Sequence, residues 1–178
     1  MAIRITRRLL ETATRQLARL TGEREFVAVG RSTLAITAPP RLRGMAVSDD
    51  VDMWPRAHED AALDESNAAL GEGSPFHEKQ GFYVERIGSW TLLTQPPGWE
   101  ERASRIQFGS LSVLVLGLLD LAYNKLEASR PKDNEFLREA FAAGLVTPTE
   151  LRDFVEQHAL TPDLRQQMIQ SLTRLTEH

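Results

Sequence analysis

Three carboxylates crowd one short stretch, SDDVDMWPR at residues 48–56, which contains Asp49, Asp50 and Asp52. The alternation around Val51 predicts a strand on which Asp50 and Asp52 share one face. Two like charges on one face need solvent, a basic neighbour or a cation to compensate them. Mg²⁺ suits such a pair, and paired magnesium ions about 4 Å apart drive phosphoryl and nucleotidyl transfer. The alternative is an edge strand whose charged outer face discourages aggregation.

A lysine lies on the apolar side of a predicted helix further along the chain. Leu118, Leu121, Ala122 and Lys125 are spaced at i, i+3, i+4 and i+7, so Lys125 projects from the apolar face. An inward lysine needs an anion, which the Asp50–Asp52 pair or a nucleotide phosphate would supply. The alternative is a lysine that snorkels to water along its aliphatic stem.

Charged residues also gather where the next helix begins. Arg130, Lys132 and Asp133 flank Pro131, a favourable first helical residue. A carboxylate such as Asp133 is favoured in a first helical turn by the helix dipole alone.

The elements that would position these residues divide the chain into two parts. Up to about residue 117 we expect strands mixed with helices, and beyond it four helices. The first part contains predicted helices at 3–20 and 58–70, strands at 25–30 and around Asp50–Asp52, a hairpin over 81–95, and one or two strands over 105–116. Residues 32–37, STLAIT, fit either helix or strand.

The second part is marked by helix boundaries. Gly144 ends one predicted helix, Thr147-Pro148-Thr149-Glu150 has the pattern of a capping box, and Thr161-Pro162 begins the last helix. We therefore predict an α+β fold, with an α/β core at residues 1–117 and a helical module at 118–178 packed on it as one compact unit.

Composition excludes several classes of protein. The 178 residues contain no cysteine, which rules out a disulfide framework and any zinc site built on thiolates. The formal net charge of −4 argues against a general nucleic-acid coat protein. We see neither the roughly 18 apolar residues of a membrane span nor the apolar core of a secretory signal. We expect a cytoplasmic protein with no membrane partner.

Several stretches together resemble a known family. They are VAVGRS, DDVDMWP, LGEGSPFHEKQGFY, PPGWEER and KLEASRPKDNEFL, spread over residues 27–137. This combination resembles the minimal nucleotidyltransferases of bacteria, among them the nucleotidyltransferase-like toxins of abortive-infection type toxin–antitoxin systems and an uncharacterised bacterial subgroup. The resemblance implies a small mixed sheet of the polymerase-beta type with flanking helices.

The resemblance also implies roles for individual residues. Gly30 and Ser32 would belong to the loop that holds a nucleoside triphosphate, with Arg31 between them. Asp50 and Asp52 would bind Mg²⁺ or Mn²⁺. Lys125 and Asp133 would match a lysine and an aspartate of the toxin relatives and would be catalytic together with Asp50 and Asp52. Arg130 and Lys132 would contact phosphate.

Two features depart from the family pattern. Arg31 interrupts the usual Gly-Gly or Gly-Ser pair, where it would either contact phosphate or block a close backbone approach. The third catalytic carboxylate of the family has no obvious counterpart, the candidates being Glu85 and Asp120.

The functional prediction is a metal-dependent transfer of a nucleoside monophosphate to a hydroxyl acceptor, such as tRNA, a protein or a small molecule. A toxin–antitoxin role would add a partner protein. The alternative is a catalytically degenerate relative that acts by binding a nucleotide or a partner.

Overall fold

The computed structural model describes residues 2–57, 62–87 and 95–177. Five strands of this part form a mixed sheet in the order β5-β4-β2-β7-β6. They are β2 (Glu25–Val29), β4 (Asp50–Pro55), β5 (Tyr83–Arg86), β6 (Ser104–Phe108) and β7 (Leu111–Val115). Strand β2 runs antiparallel to β4 and parallel to β7, while β4 and β5 are parallel. The predicted α+β class is confirmed.

The sheet explains why its strands are rich in apolar residues. Strand β2 lies between β4 and β7, and Phe26, Val27, Ala28 and Val29 are all buried. The stretch 105–116 forms two strands, β6 and β7, which pair as a hairpin. Strand β5 confirms the first half of the predicted hairpin over 81–95, but most of the second half lies outside the described residues.

The N-terminal helix begins later than its periodicity predicts. Helix α1 spans Arg7–Thr21, and Thr6 caps it by accepting a hydrogen bond from the Leu9 backbone N–H. Residues 3 and 4 instead form strand β1 (Ile3–Arg4), which pairs with β3 (Val47–Ser48). Ile3 and Arg4 therefore pair with a strand that is distant in sequence, although the local pattern predicts that they belong to the helix.

Short helical elements connect the strands. The ambiguous STLAIT stretch lies in a 3₁₀ turn (Arg31–Thr33) followed by helix α2 (Leu34–Thr37), and a second 3₁₀ segment spans Pro40–Met45. Helix α3 (Leu63–Leu70) confirms the later part of the helix predicted from His58, and residues 58–61 lie outside the described part. Helices α4 (Pro75–Gln80) and α5 (Trp99–Arg102) complete this half.

Four helices follow the sheet, and their boundaries agree closely with the capping signals. They are α6 (Leu118–Ala128), α7 (Pro131–Ala142), α8 (Pro148–His158) and α9 (Pro162–Thr176). The predicted capping box is present, because Thr147 and Glu150 each accept the other's backbone N–H. Helix α6 packs against each of the three helices that follow it. In the described part of the chain, no helix is both long enough and apolar enough to span a membrane.

Candidate functional site

Three carboxylates meet where β4 and β5 lie side by side. Asp50 and Asp52 project from β4 on one face, as their spacing predicts. Glu85 lies directly across from Asp52 in the parallel pairing of the two strands. One side-chain oxygen from each of the three residues lies within 4.8 Å of the other two. We call Asp50, Asp52 and Glu85 the carboxylate triad.

Of the two acids that the sequence offers as a third carboxylate, Glu85 is the one that lies with Asp50 and Asp52. The other candidate, Asp120, is buried and accepts hydrogen bonds from Arg102, including one of 2.7 Å from Nη2. Asp120 lines a separate hollow with Gly117 and Glu150. Its carboxylate therefore holds Arg102 in a structural ion pair.

The triad concentrates negative charge on two partly buried carboxylates and one exposed carboxylate, Glu85. Burial, reinforced by the nearby charges of Asp50 and Glu85, raises the pKa of Asp52 to about 7. Burial and the charge of Asp50 also raise the pKa of Glu85. Ser48 donates a 2.5 Å hydrogen bond to Asp50 from the adjoining strand β3. Such a cluster attracts a proton or a cation.

Gly30 lets the backbone after β2 approach the triad. Its φ of +71° lies in the left-handed region, which glycine tolerates best. A Cβ at this position would lie 2.0 Å from Oδ2 of Asp52, closer than any real contact. Two independent constraints therefore require a glycine here.

Arg31 and Ser32, the next two residues of this loop, differ in whether their side chains line the cleft beside the triad. Ser32 is buried, and its hydroxyl donates to the Val29 carbonyl at 3.3 Å rather than lining the cleft beside the triad. Arg31 does line the cleft. Its Nε donates to the Met45 carbonyl at 3.0 Å, and its guanidinium stacks on the Phe136 ring and pairs with Glu139.

A group of basic residues on α6, α7 and the turn between them is organised by one buried carboxylate. Asp133 is fully buried and accepts a 2.8 Å hydrogen bond from Lys125 Nζ and others from the Arg130 guanidinium. Burial by itself raises the pKa of Asp133, but these hydrogen bonds outweigh it and hold the pKa below its usual value. Asp133 thus positions two cations at the cleft, which it lines together with them.

These groups line one cleft of about 700 Å³. The carboxylate triad and Gly30 come from the sheet and its loop, whereas the basic residues come from the helical half. The charges of Lys125 and Lys132 lower the pKa of Asp52, so they are close enough to act on it. The cleft thus brings together the sequence-predicted residues Gly30, Arg31, Asp50, Asp52, Lys125, Arg130, Lys132 and Asp133.

Sequence reasoning identified most of this cleft but missed two contacts. The sequence offers Glu85 only as one of two alternatives for the third carboxylate. The feature that favours it is that it is the one acid on the predicted hairpin. The pairing of Arg31 with Glu139 joins residues 108 positions apart, and no local pattern indicates it.

A family model agrees with this arrangement. The model described as "nucleotidyltransferase of unknown function (DUF6036)" matches residues 8–174, which is nearly the whole chain. The chain belongs to this family. The searches of curated proteins and of solved structures returned no match. The description of the family indicates a nucleotidyltransferase-like protein.

Proposed function

We propose that this protein is a metal-dependent nucleotidyltransferase that moves a nucleoside monophosphate from a nucleoside triphosphate to a hydroxyl group. The observation that carries the proposal is that the carboxylate triad and the basic residues Lys125, Arg130 and Lys132 line one cleft. The basic side chains would bind the charged oxygens of a triphosphate, and the triad would hold a metal ion.

The donor set of the triad fits a hard divalent cation such as Mg²⁺ or Mn²⁺. All its ligand atoms are carboxylate oxygens, and oxygens on opposite sides of one Mg²⁺ lie about 4.2 Å apart. The 4.8 Å limit on the spacing of the triad oxygens is close to that distance. Asp50, Asp52 and Glu85 would hold the ion, which when bound polarises the α-phosphate of the nucleotide.

The remaining steps belong to the side chains of the cleft. The acceptor hydroxyl oxygen forms a bond to the α-phosphorus, the bond from that phosphorus to the bridging oxygen breaks, and pyrophosphate leaves. Glu85 would take the hydroxyl proton, because it is the exposed carboxylate of the triad and is therefore within reach of an acceptor. Lys125, Arg130 and Lys132 offset the charge of the pyrophosphate as it leaves.

The proposal assigns different tasks to the two halves of the chain. Residues 1–117 would form the core that holds metal and the acceptor hydroxyl. Residues 118–178 would form the helical module that supplies the phosphate-binding cations. Asp133 would be a positioning residue in this scheme, since its carboxylate is buried beneath Lys125 and Arg130. Gly30 would allow the loop to approach the triphosphate.

The acceptor and the biological setting follow the resemblance of the sequence to the toxin relatives. We propose tRNA or a protein as acceptor, with a small molecule as the third option, in the bacterial cytoplasm. A toxin–antitoxin role would add a partner protein that restrains the activity. The degenerate alternative rested largely on a missing third carboxylate, and the position of Glu85 beside Asp52 weighs against it.

The experiment is a transfer assay with each of the four ribonucleoside triphosphates labelled at the α-phosphate. Purified protein is incubated with Mg²⁺ and, separately, with total bacterial RNA, bacterial protein extract or no added acceptor. We expect label to enter one acceptor class with wild-type protein and not with Asp52→Asn. Equal labelling by Asp52→Asn, or none with any nucleotide and acceptor, would contradict the proposal.

A further inference from the structure

Arg31 lies in the loop where the triphosphate would bind, yet it already has an anionic partner. Its outer nitrogen Nη2 pairs with Oε2 of Glu139 on helix α7. Its inner nitrogen Nε donates to the Met45 carbonyl at 3.0 Å, and its guanidinium carbon lies 5.2 Å from the centre of the Phe136 ring. The inner part of the guanidinium is therefore anchored independently of Glu139.

Helix α7 carries both kinds of charge along one side. Lys132, Phe136 and Glu139 are spaced at i, i+4 and i+7, which places them on one stripe of the helix. Lys132 and Phe136 line the cleft, and Glu139 follows them one turn further on. Glu139 does not itself line the cleft, but it brings a negative charge to Arg31, which does.

The pair between Arg31 and Glu139 is accessible to water. The Arg31 side chain is 29% exposed and the Glu139 side chain 46% exposed. Ion pairs at such exposure are weak, because solvent screens both charges. A triphosphate offers several charged oxygens where a carboxylate offers two, and its phosphate groups also match the planar fork of a guanidinium.

We propose that Glu139 is an internal competitor of the triphosphate. Its carboxylate occupies Nη2 of Arg31 until a nucleotide displaces it. This inference rests on the proposed function and adds a regulatory group to the same site. The Met45 carbonyl and Phe136 keep the guanidinium at the cleft, so the exchange needs only a rotation of the Glu139 side chain. Glu139 thereby lowers the affinity for nucleotides and restricts binding to ligands rich in phosphate.

A purely structural pair would behave in the opposite way. If Arg31 and Glu139 served only to fasten the loop to helix α7, removing either charge would loosen the cleft. Both substitutions would then weaken nucleotide binding. The sign of the effect at Glu139 therefore separates competition from simple fastening.

The test measures binding by titration calorimetry, using inorganic tripolyphosphate and each of the four ribonucleoside triphosphates with Mg²⁺. The variants are Glu139→Gln, Arg31→Gln and the double variant. Glu135→Gln is the matched control, because Glu135 is an exposed glutamate on the same helix. Thermal unfolding without ligand reports whether each variant is folded.

We expect Glu139→Gln to bind tripolyphosphate and nucleotide about two- to five-fold more tightly, the range that a partly exposed ion pair allows. Its stability without ligand should fall slightly, so the two readouts move in opposite directions. Arg31→Gln should bind more weakly than wild type, and the double variant should match Arg31→Gln. Glu135→Gln should behave as wild type.

Two results would overturn the inference, and they differ in what else they contradict. If wild type binds nucleotide with Mg²⁺ but Glu139→Gln binds it as tightly as wild type or more weakly, the inference that Glu139 competes with the nucleotide is wrong. The proposed function is not contradicted by that result. If neither wild type nor any variant binds tripolyphosphate or nucleotide, both this inference and the proposed function are contradicted.

Discussion

At the scale of single residues, the protonation of Asp52 makes the stability of the folded chain depend on pH. Its folded pKa of about 7 lies above the ordinary value of 3.8. Between these values the unfolded chain releases a proton that the folded chain keeps. The contribution of Asp52 to stability is therefore complete below about pH 4 and is lost as the pH rises to about 7.

This predicts a pH-dependent benefit from neutralising Asp52. With EDTA present, Asp52→Asn should unfold at nearly the wild-type temperature at pH 4 and at a higher temperature from pH 7 upward. With Mg²⁺ present, the advantage should shrink or reverse, because the ion stabilises the charged triad of wild type. Thermal unfolding at several pH values measures the difference. A difference that is independent of pH would contradict the shifted pKa.

Glu85 offers the sharpest test of the triad itself. Glu85→Gln keeps the size of the side chain but removes one charged ligand and the proposed proton acceptor. We expect nucleotide transfer to fall by at least about 10²-fold, as when a general base is removed, and Mg²⁺ to bind more weakly. The matched control is Glu78→Gln, an exposed glutamate on α4. Wild-type transfer rates in Glu85→Gln would remove Glu85 from the mechanism.

The sequence predicted these residues unevenly, for a physical reason. Asp50 and Asp52 could be placed together because strand alternation is local. Glu85 could not be assigned, because the register of β5 against β4 depends on the whole sheet. The side-chain roles of Ser32 and Arg31 were equally hidden, since a buried hydroxyl and a pairing with Glu139 arise only from tertiary packing.

At the scale of elements, the turn that ends β2 joins the sheet to the site. Gly30→Ala would meet two costs, a left-handed φ and a Cβ that lies 2.0 Å from Asp52 Oδ2. Gly22 ends helix α1 with a similar φ of +74°, but a Cβ there would meet nothing within 4 Å. It therefore supplies a control that carries only the backbone cost.

We expect Gly22→Ala to lower the free energy of unfolding by about 1–2 kcal/mol, the usual cost of a left-handed residue. Gly30→Ala should lower it by more than this and should also weaken Mg²⁺ binding, because Asp52 must move. Urea unfolding measures the first effect and calorimetry the second. Equal losses at both glycines, with Mg²⁺ binding unchanged, would contradict the close approach.

The elements themselves were predictable where their signals are local. Thr147, Pro148 and Glu150 marked the start of α8 because capping involves neighbours in sequence. Strand β1 was missed because Ile3 and Arg4 pair with residues more than 40 positions away, which outweighs their place in a helical pattern.

At the scale of the whole molecule, the cleft lies where two differently charged surfaces meet. The sheet contributes the carboxylates and the helical half contributes the cations, and Arg31 connects them through Glu139 and Phe136. A metal with a triphosphate would bridge these surfaces. Binding of both together should therefore stabilise the entire fold.

The most direct test is thermal unfolding with each of the four ribonucleoside triphosphates, with and without Mg²⁺, for wild type and Asp52→Asn. A ligand at about 100 times its dissociation constant should add about 2.7 kcal/mol of stability, a rise of a few degrees. We predict a rise that requires Mg²⁺ and a particular nucleotide in wild type and is lost in Asp52→Asn. No rise with any nucleotide, or the same rise in the variant, would contradict a metal-dependent nucleotide site at the carboxylate triad.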